Sequence, residues 1–361
     1  MRASYEITPR SDTSGARLEG LAALGDLSID NLVSCSGPSL RFTEQNLRAA
    51  VAKLCTTGTL LVTDDYNYPK IGDICRTIAV EDTDAERIEE VCSAGGYSRV
   101  VAVGGCTALD FGRACAKGMW LAVVPTILSN ACISSGRSVI RRRNHYISEE
   151  TTFPRSTVIS FPTIEETHAD LQKNWSASGF GDLFSAFAAV AEANWNDTTI
   201  GSNDGIFGKQ APICLEALEW ITAATYPLKR AGLERLARFL HEFSIVGHKS
   251  VPVGSEHPLY YTLRKQHRYP RMVATHGKLV SIGTLLTLRA WSEARADFSM
   301  YNALRQVFAK IGLPLTFDDL DRIGVAPDHI LSACQADGGE SLYGMLISKT
   351  DTSLLTRVFA P

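Results

Sequence analysis

Short apolar runs alternate with amphipathic stretches up to about residue 130. The runs TLLVT, VVAV and LAVV are continuous, which is typical of strands buried on both faces of a parallel sheet. Residues 43–55, 82–93 and 107–117 place apolar side chains at helical spacing around these runs. The alternation predicts an open α/β sheet flanked by helices.

The pattern changes in the second half of the chain. Residues 137–161 look like two strands around a polar turn, which predicts a hairpin at the edge of the first domain. From Pro162 onward almost every segment carries apolar residues at i, i+3 and i+4. We therefore predict an α/β domain over residues 1–162 and an all-α domain over residues 163–361, with a ligand-binding cleft between them.

The composition limits the class of protein. The 361 residues include 36 Lys and Arg against 39 Asp and Glu, a formal net charge of -3, so a chain-wide basic surface for nucleic acid is not expected. No apolar stretch is long enough for a membrane span, and the N-terminus lacks the apolar region of a secretory signal. The nine cysteines are loosely spaced without a C-x-x-C, which favours reduced thiols in a cytoplasmic protein.

Glycines follow the second apolar run. Gly104 and Gly105 end this run just before a predicted helix, where backbone N–H groups bind phosphate well. Cys106 is the next residue of this loop, and Asp110 lies one turn into the helix, where it would cap or polarise the loop. The alternative is an ordinary tight strand-to-helix turn.

Polar residues follow the other two runs. Thr126, Ser129 and Asn130 come after LAVV and should face the same edge of the sheet, where they offer hydrogen bonds to a ligand. Asp64 ends TLLVTD, where a carboxylate accepts hydrogen bonds from a ribose and repels the extra phosphate of NADP. The alternatives are an ordinary capped connection for the first segment and a helix cap for Asp64.

Three side chains in the helical half suggest a metal site. Asp182, His257 and His276 supply one carboxylate and two imidazoles, a ligand set that leaves coordination positions for a substrate. Because they lie far apart in sequence, hydrogen-bonded structural histidines are the alternative.

The order of these motifs resembles that of one superfamily. GG-x-x-x-x-D, VPT…SSG, GxGD, GSEH and THGxxVxxG follow one another as in dehydroquinate synthases, glycerol dehydrogenases and iron-containing alcohol dehydrogenases, from about residue 40 to about residue 290. The last three motifs are most similar to the sn-glycerol-1-phosphate dehydrogenase branch. The resemblance implies a Rossmann-like N-terminal domain, a helical C-terminal domain, NAD(P) and one divalent metal, usually zinc. It also implies that Asp182, His257 and His276 are the metal ligands.

Three positions depart from the pattern of this branch. Asn130 stands where an Asp is usual, near substrate and nicotinamide, so a charge and a proton acceptor are missing. Cys106 stands where a third small residue is usual. Pro258 follows His257, so the helix carrying this ligand should begin close to it, because proline is tolerated only in a first helical turn.

These observations predict a metal- and NAD-dependent oxidoreductase of the glycerol-1-phosphate dehydrogenase type, acting on a small polyol or sugar phosphate, with NADP as the weaker cofactor. Asn130 and Lys278 are the candidate catalytic side chains, and Arg137, Lys249 and Lys278 are candidate contacts of a substrate phosphate. The alternatives are a dehydroquinate synthase-like cyclase that uses NAD transiently and a non-catalytic binding protein. The expected partners are small molecules rather than nucleic acid or membrane, and a homo-oligomer is left open.

Overall fold

The computed structural model describes residues 38–143, 145–166, 169–195, 206–247, 254–267, 269–270, 272–335 and 350–360. Lys249, one of the predicted phosphate contacts, lies outside the described residues.

A six-stranded parallel sheet forms the centre of the N-terminal half. Its strands are β1 (Ser39–Thr43), β2 (Thr59–Thr63), β3 (Arg76–Ala79), β4 (Arg99–Gly104), β5 (Trp120–Pro125) and β8 (Ser156–Ser160). The spatial order is β1-β8-β5-β4-β2-β3, and all neighbours are parallel. The direction of winding reverses between β2 and β4, so the carboxyl ends of these two strands flank the crevice in which open α/β sheets bind their ligands.

Helices cover both faces of this sheet. They are α1 (Leu47–Ala52), α2 (Tyr68–Ile71), α3 (Ala85–Ala94) and α4 (Cys106–Ala116). Within β2, Leu60 and Val62 pack with α3 and α4, whereas Leu61 packs with α1 and α2. Both faces are therefore dry, which explains the continuous apolar runs.

The hairpin is only part of the segment predicted for it. β6 (Arg137–Arg142) and β7 (His145–Glu150) pair antiparallel as a separate two-stranded sheet. The end of the segment is β8, which lies inside the main sheet between β1 and β5, so the assignment of all of 137–161 to an edge hairpin is wrong. Every residue of β8 is buried, as expected for an interior parallel strand, whereas β6 alternates between buried and half-buried residues.

Helices make up the rest of the described chain. They are α5 (Phe161–Glu165), α6 (Ala169–Trp195), α7 (Ile206–Ala223), α8 (Arg230–Val246), α9 (Glu256–Gln266), α10 (His276–Arg295), α11 (Ser299–Ile311), α12 (Phe317–Arg322), α13 (Pro327–Gln335) and α14 (Thr352–Phe359). The predicted fold class, a parallel α/β half followed by a helical half, is confirmed. The element type changes at residue 161, but the described residues form one compact unit, so the domain boundary at 162 stays a prediction.

The longest helix corrects the sequence interpretation. The sequence pattern predicts separate helices over residues 164–175 and 181–195, with Asp182 at the start of the second. The structure has one helix without a break from Ala169 to Trp195, and Asp182 lies in its middle. The apparent break came from Gly179 and Gly181. Both serve close packing instead, because a Cβ at Gly179 would lie 2.6 Å from the carbonyl oxygen of Leu128.

Among the described helices, none combines the length and the hydropathy needed to cross a bilayer.

A buried hydroxyl–imidazole network joins the two halves. His241 of α8 contacts Ser134 Oγ through Nδ1 at 2.6 Å, and Ser134 Oγ lies 2.7 Å from Thr157 Oγ1 of β8. The ring also donates to the carbonyl of Pro38. Burial lowers the pKa of His241 from 6.5 to about 4, so the ring is neutral in the folded protein at neutral pH.

Because the folded pKa of His241 lies below its unfolded value, the unfolded chain binds the extra proton as the pH falls from about 6.5 to about 4. Stability from this group is present above pH 6.5 and is lost on acidification. We expect the wild type to lose about 2 kcal/mol more than His241→Gln between pH 7 and pH 5. Urea unfolding at both pH values measures the difference, and equal losses would show that His241 is not held neutral.

Candidate active site

Three helices bring the predicted metal ligands together. Asp182 lies in the middle of α6, His257 is the second residue of α9, and His276 is the first residue of α10. Asp182 Oδ1 lies 3.2 Å from His257 Nε2 and 2.9 Å from His276 Nε2. The three ligand atoms all lie within 4.8 Å of one another, so the predicted convergence is present in the structure.

Glycine at one helix crossing makes this convergence sterically feasible. A Cβ at Gly277 would lie 1.8 Å from the carbonyl oxygen of Ser178, and one at Gly181 would lie 2.5 Å from the carbonyl oxygen of Gly277. The backbones of α6 and α10 are therefore in direct contact, which no larger residue permits. Gly277 N also donates to Ser178 Oγ at 2.9 Å. The contact places His276 beside Asp182.

The start of α9 follows the expectation drawn from Pro258. The helix begins at Glu256 with Ser255 as its N-cap residue, so Pro258 is the third residue of the first turn. Its missing N–H would have no helical partner at this position. His257 is therefore held by the rigid N-terminal turn of a helix.

The pKa values of Asp182 and His257 are shifted by their neighbours. Burial disfavours charge on Asp182, but the His276 and His257 imidazoles outweigh this effect and lower the pKa of the carboxyl. Burial likewise disfavours a charged His257, yet Asp182 and Glu256 raise its pKa to about 10. Asp182 therefore stays ionised, and the two carboxylates stabilise a positive charge on the imidazole between them. A divalent cation would take the place of the proton on the ligating nitrogen.

The loop after β5 reaches this cluster. Ala131 N donates to the second carboxylate oxygen of Asp182 at 2.6 Å, and Ser178 Oγ donates to the carbonyl of Ser129 at 2.8 Å. Asn130 lies between these two contacts, half-buried, and its Oδ1 accepts from Cys132 N at 3.1 Å. The predicted catalytic Asn130 therefore lies next to the candidate metal centre, and its role stays a prediction.

The predicted phosphate loop lies at the sheet crevice. Asp64 Oδ2 accepts from Gly105 N at 3.3 Å, and Asp64 Oδ1 accepts from Asn67 N at 2.9 Å and Asn67 Nδ2 at 2.8 Å. Gly104 has a φ of 140°, and a Cβ there would lie 2.2 Å from Asp64 Oδ2. Asp64 thus contacts the glycine loop itself, while its predicted contact with a ribose stays a prediction.

Other predicted cofactor residues surround the same crevice. Thr126 Oγ1 accepts from Asn67 Nδ2 at 3.4 Å. Cys106 begins α4 and hydrogen-bonds Ser129, and burial, reinforced by Asp110 and Asp182, raises the pKa of its thiol to about 12. The charge of Asp182 acts on the Cys106 thiol, so the glycine loop lies near the candidate metal ligands.

Asp110 serves packing in this structure. Its carboxylate pairs with the buried Arg113 at 2.7 Å and accepts from Val139 N of the hairpin at 3.2 Å. Burial raises the pKa of Asp110 to about 6, against the opposing effect of Arg113. Both oxygens are engaged, so its predicted part in cofactor binding has no added support.

Comparisons with known proteins bear on the fold of the chain. A glycerol-1-phosphate dehydrogenase [NAD(P)+] from Sulfolobus acidocaldarius is 24% identical over 260 residues, covering 70% of this chain and 69% of the relative. A probable glycerol dehydrogenase from Sinorhizobium meliloti superposes with a TM-score of 0.65 at 18% identity, covering 90% of this chain and 95% of that structure. An iron-containing alcohol dehydrogenase from Corynebacterium glutamicum gives 0.62 at 10% identity, covering 89% and 93%. No family model matches the chain.

The chain has the fold of the glycerol and iron-containing alcohol dehydrogenases. The resemblance inferred from the motifs is confirmed, and the similar curated protein is of the predicted branch.

Some of the predicted site residues have, among the residues that the structure describes, no contact that connects them to the candidate metal ligands. Lys278 follows His276 by two residues, about 200° around the helix axis. Its electrostatic neighbours are Lys173 and Asp319, and burial lowers its pKa. Arg137 donates to Ser148 within the hairpin. These placements give no support to the catalytic role of Lys278 or to the phosphate contacts.

The sequence analysis missed several residues around the cluster of Asp182, His257 and His276. The Tyr260 ring lies 4.4 Å from that of His276, and Tyr261 stacks on the hairpin's Tyr146 at 6.2 Å. Glu256 contacts His257 directly. The sequence places Glu256, Tyr260 and Tyr261 near a predicted ligand, but only the fold shows which of them face it.

The crossing of α6 and α10 makes Gly277 a sensitive position. We expect Gly277→Ala to destabilise the protein by about 3 kcal/mol or more, because overpacking against rigid backbone cannot relax. The separation of Asp182 from His276 should weaken Zn²⁺ binding about tenfold or more. Chemical unfolding and chelator competition measure the two effects.

Ser281→Ala in the same helix is the matched control, because the Ser281 hydroxyl donates to the carbonyl of Lys278 within α10. Wild-type stability and metal affinity in Gly277→Ala would contradict the proposed steric constraint.

Proposed function

We propose that this protein is a metal- and NAD-dependent oxidoreductase of the glycerol-1-phosphate dehydrogenase type, acting on a small polyol or sugar phosphate. The convergence of Asp182, His257 and His276 carries the proposal. It is supported by Ala131, which binds Asp182 from the loop after β5, the strand beside the glycine loop. The candidate metal centre is therefore adjacent to the edge of the sheet at which the cofactor would bind.

Asp182, His257 and His276 are the residues that would hold the metal. Two imidazole nitrogens and one carboxylate oxygen suit zinc, the metal we expect, and also suit ferrous iron. A divalent cation bound there supplies a Lewis acid for a substrate hydroxyl or carbonyl oxygen. The ligand set fits, because one oxygen of Asp182 faces both imidazoles while the other is fixed by Ala131 N.

The residues of the sheet edge would hold the cofactor. The N–H groups at the start of α4, beginning with Gly105, are suited to a pyrophosphate. Since Asp64 accepts from Gly105 N, a pyrophosphate at this donor would displace the carboxylate. The freed Asp64 could then accept from the adenosine ribose, which is why we expect NAD to bind better than NADP.

The substrate class and the surroundings of the enzyme belong to the same proposal. The curated relative acts on glycerol 1-phosphate by its name, and a phosphorylated three-carbon compound is therefore the first substrate class to test for this chain. We expect a cytoplasmic protein whose partners are small molecules. By the resemblance of the motifs, an Asp rather than a longer Glu at the first ligand position, Asp182, favours the dehydrogenase over the cyclase alternative.

The decisive test is NADH turnover with and without metal. We expect purified protein to oxidise NADH with dihydroxyacetone phosphate, and chelation to lower the rate by about 10²-fold or more, because a Lewis acid contributes several kcal/mol to the transition state. Zn²⁺ or Fe²⁺ should restore it. An unchanged rate after verified metal removal would refute metal dependence, and metal binding without any net NADH change would favour the cyclase or the binding protein.

Asn130 provides a second test at the same site. An amide cannot accept a proton at neutral pH, so we expect the wild type to be a weak glycerol-1-phosphate dehydrogenase. Asn130→Asp should raise kcat on this substrate by about 10²-fold, the usual size of a general-base contribution. Asn130→Ala is the control without either group. Fast wild-type oxidation of glycerol 1-phosphate would show that no acceptor is needed at this position.

A further inference from the structure

A buried carboxylate stands behind one of the candidate metal ligands. Glu256 is the first residue of α9 and is fully buried. Its Oε1 lies 3.0 Å from His257 Nδ1 and accepts from Gly254 N at 2.9 Å. The opposite ring nitrogen, Nε2, faces Asp182 Oδ1. The imidazole therefore lies between two carboxylates, one in the ligand cluster and one outside it.

We propose that Glu256 is a positioning residue for the metal centre, which accepts the Nδ1–H of His257 and thereby presents the Nε2 lone pair to the cation. The inference rests on the proposed metal-dependent function. A neutral imidazole carries a single N–H, and its position is set by the acceptor on the other side of the ring. A carboxylate at Nδ1 also makes Nε2 a stronger donor to the metal.

The surroundings of Glu256 hold it at this position. Its carboxylate cannot turn toward water, because its Oε2 is buried and has no hydrogen-bond partner within the described part of the chain. A side chain at Gly254 would collide with Glu256 Oε2 at 2.5 Å, and a Cβ at Gly283 would lie 2.6 Å from the Cα of Glu256. The carboxylate is therefore enclosed by backbone from the preceding turn and from α10.

A second buried carboxylate, Glu192, anchors the same turn. Glu192 of α6 accepts from Ser255 N at 2.6 Å and from Ser255 Oγ. Glu192 fixes Ser255, the N-cap residue of α9, whereas Glu256 contacts the imidazole ring of His257. Glu192 thus supports the start of the helix, and Glu256 orients the ligand His257. Glu192→Gln is therefore a matched control for the Glu256 variants.

The experiment compares Co²⁺ and Zn²⁺ affinity, measured by chelator competition, in wild type, Glu256→Gln, Glu256→Ala and Glu192→Gln. Glu256→Gln is isosteric and should keep the fold, as thermal unfolding will show. We expect affinity to fall about 10-fold in Glu256→Gln and up to about 100-fold in Glu256→Ala. The visible spectrum of bound Co²⁺ should shift in both Glu256 variants. Glu192→Gln should stay within about twofold of wild type.

Each outcome bears on the proposal. The graded loss with Glu192→Gln unchanged supports it. Wild-type affinity and cobalt spectrum in both Glu256 variants would overturn it and leave the proposed function standing. An equal loss in Glu192→Gln would also overturn it, because both glutamates would then only support the helix terminus. Metal binding by a wild type that never turns over NADH would instead defeat the proposed function, and the affinities would still test Glu256. A wild type that binds neither metal would overturn both.

Discussion

The backbone contact between α6 and α10 is the constraint on which the candidate site depends. Side chains of ordinary size hold the axes of packed helices 8–10 Å apart. Here Gly277 and Gly181 remove the Cβ atoms that would keep the backbones apart. The GxGD and THGxxVxxG motifs therefore describe a steric arrangement as well as a ligand set. Their glycines bring the helices together, and Asp182 and His276 use the resulting contact.

Close packing creates an electrostatic problem that the polar groups of the site address. Asp182, Glu192 and Glu256 are all buried, and burying uncompensated carboxylates is costly. Backbone donors meet part of this cost, with Ala131 N on Asp182, Ser255 N on Glu192 and Gly254 N on Glu256. The imidazoles of the cluster meet another part. A divalent cation at the cluster would offset the remaining negative charge, in line with the proposed metal centre.

Some of this architecture could be predicted from the sequence and some could not. β2, β4 and β5 are recognisable because strands buried on both faces show continuous apolar runs. β8 is buried throughout, but only Val158 and Ile159 of its five residues are apolar, and the polar hairpin beside it in sequence concealed it. The ligands came from the family motifs, since neither spacing nor periodicity brings together residues 75 and 94 positions apart. Asn67 and Glu256 were missed because their roles arise only through contacts made by the folded chain, and Gly179 and Gly181 suggested a break in a helix that they instead allow to pack.

The loop after β5 connects the two halves of the site. Ala131 N holds Asp182, while the buried Arg113 of α4 donates to the carbonyls of Cys132 and Ile133. One rigid loop therefore contacts both the candidate metal ligand and the helix that begins at the glycine loop. Asn130 lies within this loop, and its Oδ1 accepts from Cys132 N, a bond that an Asp oxygen would make equally well. The exchange of Asp for Asn at this position thus alters charge and proton affinity without requiring the scaffold to move. It follows that any divergence from glycerol-1-phosphate dehydrogenases at this position concerns the chemistry of the site rather than its fold.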